Sequence, residues 1–595
     1  MSGGWSPVVH LWSHCGGKLK WDADEAFFRP DPKRPPLGDH GKAMVQTIGT
    51  ANGHLDTTDV LKDAFGSAKS AVKEAGGKPP SDATAPFAKR SAAAPIAPVW
   101  KMPKKGDLAL DAKTFLDYQN DVKLADVRLA AREGYESIEH TKRYTTLGMA
   151  TDQGKLSNIN GLAVLADTLG KDIPSVGTTT FRPPYHPISM AAIAGDQRGA
   201  LFKPVRQTPI HQWIDANGGD WEPVADWRRP YCYVQNDETV EQAVHREILN
   251  TRQNVGLLDA STLGKILVKG KDAGKFLDLL YTNMMSTLKP GRCRYGLMCN
   301  ENGFLSDDGV VARIDEETFL CHTTSGGSDR IHAWMEEWLQ TEWWNLKVYT
   351  ANLTEQFAQI AVVGPNARKV LEKLGGMDVS ADALPFMAFK DGTLGGIQAR
   401  PYRISFSGEL SYEIAVPASQ GQAFWDMCMA AGKEFGIQPY GTECLHVMRA
   451  EKGFIMIGDE TDGTVIPQDL GLNWAISKKK TDFLGKRAQQ RSFLTDPNRW
   501  KLVGLKTLDP KTVIPDGAYA TDDVRREDGI LNMIGRVTST YFSPTLDRSI
   551  AMGLVERGPD RMGEVIQFAT TDGKRIKAEI CSPIFLDPEG ERQNV

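Results

Sequence analysis

The sequence predicts an α+β protein that ends in a small β-barrel and is preceded by a small helical domain. Three observations carry this. A strand-rich meander runs from Arg292 to Thr323. A second half, from Ile360 to Lys452, alternates strands with helices. From about residue 496 the chain is almost all strand, with turns at barrel spacing.

At 595 residues the chain is long enough for roughly four domains. Its 41% hydrophobic and 24% charged residues are those of an ordinary globular protein. A net charge of -5 gives no support for a nucleic-acid or anionic-membrane surface. The eight cysteines form no CxxC pair and no HExxH occurs, which argues against a zinc or iron–sulfur site and against a disulfide framework. The start has neither the basic nor the apolar region of a signal peptide, and no apolar run approaches a bilayer span, so a cytoplasmic location is expected. Neither GxGxxG nor GxxxxGK[ST] is found, so no nucleotide-phosphate loop is evident.

Residues 1–75 are polar and turn-rich and read as the tail end of a larger domain, with a helix running to about Glu74 behind Thr58 or Asp59 as N-cap. Residues 76–105, with Pro79, Pro80, Pro86, Pro95, Pro98 and Pro103, form a linker or surface strap. Residues 106–200 form the helical domain. Phe115, Tyr118, Val122, Ala125 and Leu129 recur at helical spacing, and Ile138–Leu147 and Ile159–Leu169 add shorter helices. The hydroxyl-rich loop Tyr144–Gly154 has the chemistry to bond a phosphate or a partner, though capping two helices is the commoner use of such a loop.

Residues 201–490 are the main body. Helices are expected at Val240–Leu249, Ala273–Leu280, Ala367–Leu374, Gln422–Ala431 and Thr442–Lys452, and another from a Ser328 N-cap through Ile331, Trp334, Met335, Trp338 and Leu339. Strands are expected at Val255–Ser261, Gly264–Val268, Tyr295–Cys299, Val310–Ile314, Thr318–Thr323 and Ile360–Val363, and as a pair around the Ser-Gly turn in Tyr402–Ile414. Residues 491–595 are the barrel.

Two adjacent carboxylates, Asp307 and Asp308, interrupt the meander. Successive strand side chains point to opposite faces, so only one of them readily faces an interior cavity. A buried carboxylate needs partners or shifts its pKa, which is why such residues are often functional. The competing reading is a polar β-turn, Ser306–Gly309.

Eight ordered landmarks between about 230 and 590 resemble the glycine-cleavage T-protein (aminomethyltransferase) superfamily: Leu257–Ser261, Asn302–Asp307, Val363–Pro365, Leu384–Met387, Ser407–Ile414, Met448–Gly453, Leu484–Lys486, and Ile534–Val537 with Ser543-Pro544. Ser2–Leu11, Glu139–Gly154, Thr178–Pro184, Glu451–Ile455 and Ser477–Lys480 extend the likeness to alpha subunits of heterotetrameric sarcosine oxidases. Those subunits are longer, and they hold NAD in an N-terminal dinucleotide-binding domain. The resemblance therefore implies that residues 1–75 are a remnant of that domain, that the chain is N-terminally truncated, and that the NAD site is lost with the missing part.

The resemblance also implies a T-protein-like folate-binding fold and a site. Aligned without gaps from Gly303, the aspartate essential to the family falls on Asp307, with Asp308 as its neighbour; a one-residue shift exchanges them. The glutamate that hydrogen-bonds the pterin falls on Glu409, Arg449 matches an arginine of the family's Leu-Arg-Leu-Glu-Ala-Gly helix, and Tyr295 lies near a pterin-packing tyrosine. No metal is implied. The implied activity is transfer of the methylene of oxidised sarcosine to tetrahydrofolate, giving glycine and 5,10-methylenetetrahydrofolate. H2O2 is made at FAD or FMN on a partner subunit, among beta, gamma and delta partners. The alternatives are a free-standing tetrahydrofolate-dependent aminomethyltransferase and a non-catalytic scaffold subunit.

Overall fold

The computed structural model describes residues 5–90, 96–101, 113–183 and 185–595. Expectations resting on Ser2–Gly4, on 91–95, on 102–112 (the end of the linker and the start of the helical domain) and on Pro184 lie outside the described residues. The chain divides into two units, Met1–Arg198 and Gly199–Val595. No helix among the described residues is long and apolar enough to cross a membrane.

In the first unit a hairpin pairs Leu19–Asp22 with Phe27–Pro30. The helix Thr57–Glu74 begins at Asp56, whose side chain accepts from Thr58 N, so the cap lies just ahead of the expected residues. Helices Leu124–Arg132, Ile138–Thr145 and Asn158–Leu169 close a core of Leu124, Val127, Ile138, Leu162 and Leu165. The helical spacing from Phe115 is misleading. Phe115–Asp117 and Val122–Lys123 form a hairpin, and helix starts only at Leu124. Turn chemistry overrides periodicity there. Asp117 accepts from the N–H groups of Gln119 and Asn120, and Asp121 takes positive φ.

The second unit is built on two facing sheets. The five-stranded sheet runs, in spatial order, Tyr349–Asn352, Gly264–Lys269, Thr318–Thr323, Leu305–Arg313, Cys293–Cys299, all antiparallel. The six-stranded sheet runs Gly392–Leu394, Ile397–Tyr402, Ser411–Pro417, Phe357–Val363, Val255–Asp259, Ile437–Pro439; only its last pair is parallel. Period-2 alternation sorts each strand. In Ser411–Pro417, Tyr412, Ile414 and Val416 enter the core beneath helices Ala367–Leu374 and Gly421–Gly432. Ala415 instead faces Cys293, Ala312 and Leu320 of the opposing sheet. The outer face of the five-stranded sheet packs Ile266, Met298, Val311 and Cys321 under helices Ala273–Leu280 and Ser328–Gln340. Ser328 does not cap the latter helix; its hydroxyl lies 2.9 Å from that of Thr354 and 3.3 Å from the Asn352 side chain.

The C-terminal strands close a six-stranded barrel in the order Trp500–Thr507, Arg548–Glu556, Leu531–Ser543, Tyr519–Arg525, Val565–Ala569, Arg575–Cys581 and back to the first. Val503, Leu505, Val537, Phe568 and Ile580 fill it. Its outer residues Leu502, Ile550, Met552 and Leu554 pack on Leu297, Leu305 and Ala450 of the sheet domain.

Candidate active site

Asp307 and Asp308 lie in a strand, Leu305–Arg313, and not in a turn. The strand carries a β-bulge. Leu305 pairs with Cys299 and Asp307 with Met298, which leaves Ser306 as an extra residue. A one-residue slip turns every later side chain to the other face. Leu305 therefore shares its face with Asp308 and Val310, while Asp307 turns to the helix side with Met298 and Val311. Gly309 follows at a close approach, where a Cβ would come within 2.0 Å of the His322 carbonyl oxygen.

Asp308 lines a cavity of about 1610 Å³ between the sheets and the barrel side of the domain. Tyr295, two strand positions along on the neighbouring strand, donates its hydroxyl to Asp308 Oδ2 at 2.5 Å. Burial pushes the Asp308 carboxyl up to about 7. The Asp307 charge adds to the shift and the Tyr295 hydrogen bond opposes it. Burial and the adjoining carboxylate also hold the Tyr295 phenol well above its ordinary range. Its ring stacks on Trp474 at 5.9 Å, and both line the cavity.

Asp307 is fully buried and is not among the lining residues. Its Oδ1 accepts from Thr324 N at 3.2 Å and Asp308 N at 2.8 Å, and its Oδ2 accepts from Thr324 Oγ1 at 3.1 Å and Arg330 at 3.3 Å. Burial raises its pKa against those hydrogen bonds. Gly327 makes room for it, since a Cβ there would stand 1.9 Å from Asp307 Oδ2.

Glu409 does not line the cavity either. It is 2% exposed, and its Oε1 accepts from Arg252 and Arg592, both at 2.7 Å. Arg252 also bonds Glu451 at 2.5 and 3.0 Å and the carbonyls of Ser407 and Met448. Arg449 is fully buried in a second network with Glu460 at 2.7 Å, Asp459 at 2.9 Å, Ser539 at 2.7 Å and the Phe454 carbonyl. It ties the helix Thr442–Glu451 to the barrel strand Leu531–Ser543.

Two carboxylates reach the cavity from the six-stranded sheet, Asp259 at the end of Val255–Asp259 and Glu413 within Ser411–Pro417. Ser411 and Glu413 share the inward face by the alternation that sends Tyr412 outward. Gln359 donates to Glu413 Oε2 at 2.5 Å. Burial raises the Glu413 pKa, against the Gln359 hydrogen bond and the Lys265 charge. Sequence reasoning passed over Glu413, although a signal was present: it is the one charged residue in an otherwise neutral strand, Ser-Tyr-Glu-Ile-Ala-Val-Pro. On the facing sheet sits a fully buried ammonium, Lys265, bonded to the carbonyls of Ser261 at 3.1 Å and Leu263 at 2.7 Å; burial pushes its pKa down to about 7. Among the described residues no group of three or more histidines, cysteines or acids is placed to hold a metal ion.

Two facing sheets around a carboxylate-walled cavity, followed by a six-stranded barrel, define a class of fold. It is that of the solved glycine cleavage system aminomethyltransferase T from Bartonella henselae: TM-score 0.56, 26% identity, covering 64% of this chain and 98% of that one. Residues 210–480 match the GCVT N-terminal domain, 501–587 the glycine cleavage T-protein C-terminal barrel domain, and 111–197 the sarcosine oxidase A3 domain. The aminomethyltransferase of Thermosipho melanesiensis is 31% identical over 382 residues, 64% of this chain and 97% of that protein. The chain belongs to the aminomethyltransferase family. Over its full length it is similar to the sarcosine oxidase subunit alpha of Corynebacterium sp. (strain U-96), at 45% identity over 601 residues. It spans 61% of the length of that relative.

Proposed function

We propose that this chain is a folate-binding alpha subunit of a sarcosine oxidase. On this reading it transfers the methylene of oxidised sarcosine to tetrahydrofolate and yields glycine and 5,10-methylenetetrahydrofolate. The single observation that carries the reading is the pair of cavity carboxylates, Asp308 and Glu413, presented by facing sheets in a chain that resembles sarcosine oxidase alpha subunits from end to end.

The residues present suit a reduced folate. A pterin offers two adjacent N–H donors on its amide edge, and one carboxylate accepts both; Glu413 is the group placed to do so. Tetrahydrofolate, once bound, supplies a ring nitrogen nucleophile for the methylene. Asp308 takes the proton that this nitrogen gives up, and as a carboxylate it steadies the cationic electrophile. A pKa of about 7 suits that exchange, because a general base works best near the working pH. Tyr295 holds Asp308 in place through its hydroxyl, and Asp307 supports the strand from behind. Proton acceptance of this kind is worth roughly 10²–10⁴-fold in rate. The oxidation itself, with H2O2 formation, falls to a flavin on a partner subunit, and beta, gamma and delta subunits complete the assembly. Without folate the methylene leaves as formaldehyde.

A second reading, a free-standing tetrahydrofolate-dependent aminomethyltransferase, draws on the match to 97% of the Thermosipho protein. Calorimetric titration of the full chain with tetrahydrofolate tests the folate site common to both. Binding that Glu413→Gln weakens roughly tenfold or more and Asp308→Asn largely keeps is expected. A folded chain that binds no folate defeats the free-standing transferase and leaves, for the alpha subunit, only a site completed by partners. Co-purification with a flavoprotein and sarcosine-dependent H2O2 formation separates the two readings.

A further inference from the structure

His322 lies on the cavity wall and is 5% exposed. Its Nδ1 is 2.9 Å from the Val310 carbonyl oxygen. A carbonyl only accepts, so Nδ1 carries the ring hydrogen, and the neutral imidazole keeps a bare lone pair at Nε2. That nitrogen is buried and has no hydrogen-bond partner. The ring stays neutral because burial pushes its pKa down to about 4, with the charges of Lys265 and Arg400 adding to the shift.

The position of His322 is informative. In the strand register it stands level with Lys265, beside Val310, and so on the face that carries Asp308 and Tyr295. Its ring meets that of Tyr402 edge-to-face at 5.0 Å, and Tyr402 is the cross-strand neighbour of Glu413 on the opposing sheet. His322 therefore stands across the gap from Glu413. The two walls carry Asp308, Glu413 and His322, whose unpartnered Nε2 lies just beneath the cavity surface, and all three can accept. A wall of acceptors suits a ligand rich in ring N–H groups.

We propose that His322 Nε2 accepts a hydrogen bond from a ring N–H of the reduced pterin and so makes the cavity selective for the tetrahydro oxidation state; the inference rests on the folate reading above. The reduced ring carries hydrogens on N5 and N8. Fully oxidised folic acid has lone pairs at both positions, and there the buried Nε2 faces another acceptor. A site built to accept a hydrogen bond rejects the analogue that lacks the donor, since its own buried group is left unpaired.

The test is anaerobic calorimetric titration of the full-length chain with tetrahydrofolate and with folic acid, in the wild type, His322→Gln and His322→Val, each shown to be folded by circular dichroism. The wild type is expected to prefer tetrahydrofolate by roughly tenfold or more. In His322→Gln, whose amide can turn either its oxygen or its N–H to the ligand, the ratio should collapse at least fivefold. His322→Val should weaken tetrahydrofolate several-fold and bind folic acid as well as or better than the wild type does. A wild-type ratio near one, or a preference that survives in both variants, overturns the proposal while leaving the folate reading intact. A folded wild type that binds neither pterin overturns the proposal for this chain and leaves, of the readings above, only a folate site completed by partner subunits.

Discussion

Glu409 and Glu413 stand four residues apart, and the structure gives them opposite fates. Replacing Glu409 by alanine strips a carboxylate from two arginines, one of which, Arg252, is almost fully buried. Breaking a buried ion pair costs about 3–5 kcal/mol, and the lower end applies here, about 3 kcal/mol, because Arg252 keeps Glu451. The unit that contains it runs from Gly199 to Val595. At an unfolding entropy near 2 cal/mol/K per residue, that loss lowers its melting temperature by about 4 °C. Glu413→Gln behaves in reverse. It replaces an acid whose charged form is disfavoured by burial with a neutral amide of the same shape, so the melting temperature holds or rises. Losing charged hydrogen bonds to the pterin edge, at about 1.5–3 kcal/mol, weakens tetrahydrofolate roughly tenfold to over a hundredfold. Differential scanning fluorimetry and calorimetric titration on both variants read out the contrast. If Glu409→Ala leaves the melting temperature untouched and abolishes folate binding while Glu413→Gln binds normally, the geometric reasoning that separates the two is refuted.

Three further outcomes are expected. Asp308 ionises near pH 7 in the folded chain and near 4 when unfolded, so between those values the unfolded state has already lost the proton and stability falls as pH rises. Asp308→Asn removes that slope: its advantage over wild type grows from nil near pH 4 to about 2 kcal/mol above pH 7, after discounting the shift for solvent in the cavity, as urea melts across pH will show. Tyr295→Phe deletes the hydrogen bond that steadies the Asp308 carboxylate, so the acid limb of the methylene-transfer rate should move to higher pH, whereas a purely structural Tyr295 would lower the rate at every pH. Arg449→Met leaves the fully buried Glu460 without its guanidinium and should destabilise the junction with the barrel by about 3–5 kcal/mol, measured by urea denaturation.

Much of the architecture was legible from periodicity and turn chemistry. Ala273–Leu280 and Ala367–Leu374 form helices over the residues that their apolar spacing marks out, and the even run of short strands after 496 closes into a barrel. The hairpin at Phe115–Lys123 was hidden because its apolar residues also fit a helix, and Asp117 decides the matter with side-chain bonds that spacing does not register. In the site, Tyr295 and one aspartate of the pair, Asp308, line the cavity. Which aspartate does so was not readable, because the bulge at Ser306 reverses the face assignment without leaving a trace in hydrophobicity. Glu409 was chosen from the family resemblance alone, and Glu413 was not considered. The pairing of Ser411–Pro417 turns Glu413 inward, while Glu409 lies ahead of the strand and is taken up by Arg252 and Arg592.

The extra residue at Ser306 has a consequence for how such a strand can change over time. A sheet is usually intolerant of single-residue insertions, because they invert everything downstream. Here the phase error is absorbed within one pair of rungs: Leu305 still meets Cys299, Val310 meets Tyr295, and Ala312 meets Cys293. The rungs on either side keep their partners, and Asp308 stays on the face of Val310 and Tyr295 with or without the extra residue. Deleting Ser306 would then close the bulge without disturbing a rung: Asp307 stays opposite Met298, Asp308 stays opposite Leu297, and Asp308 keeps the cavity. A residue can therefore be gained or lost at this loop-to-strand junction without moving the carboxylate that faces the cavity.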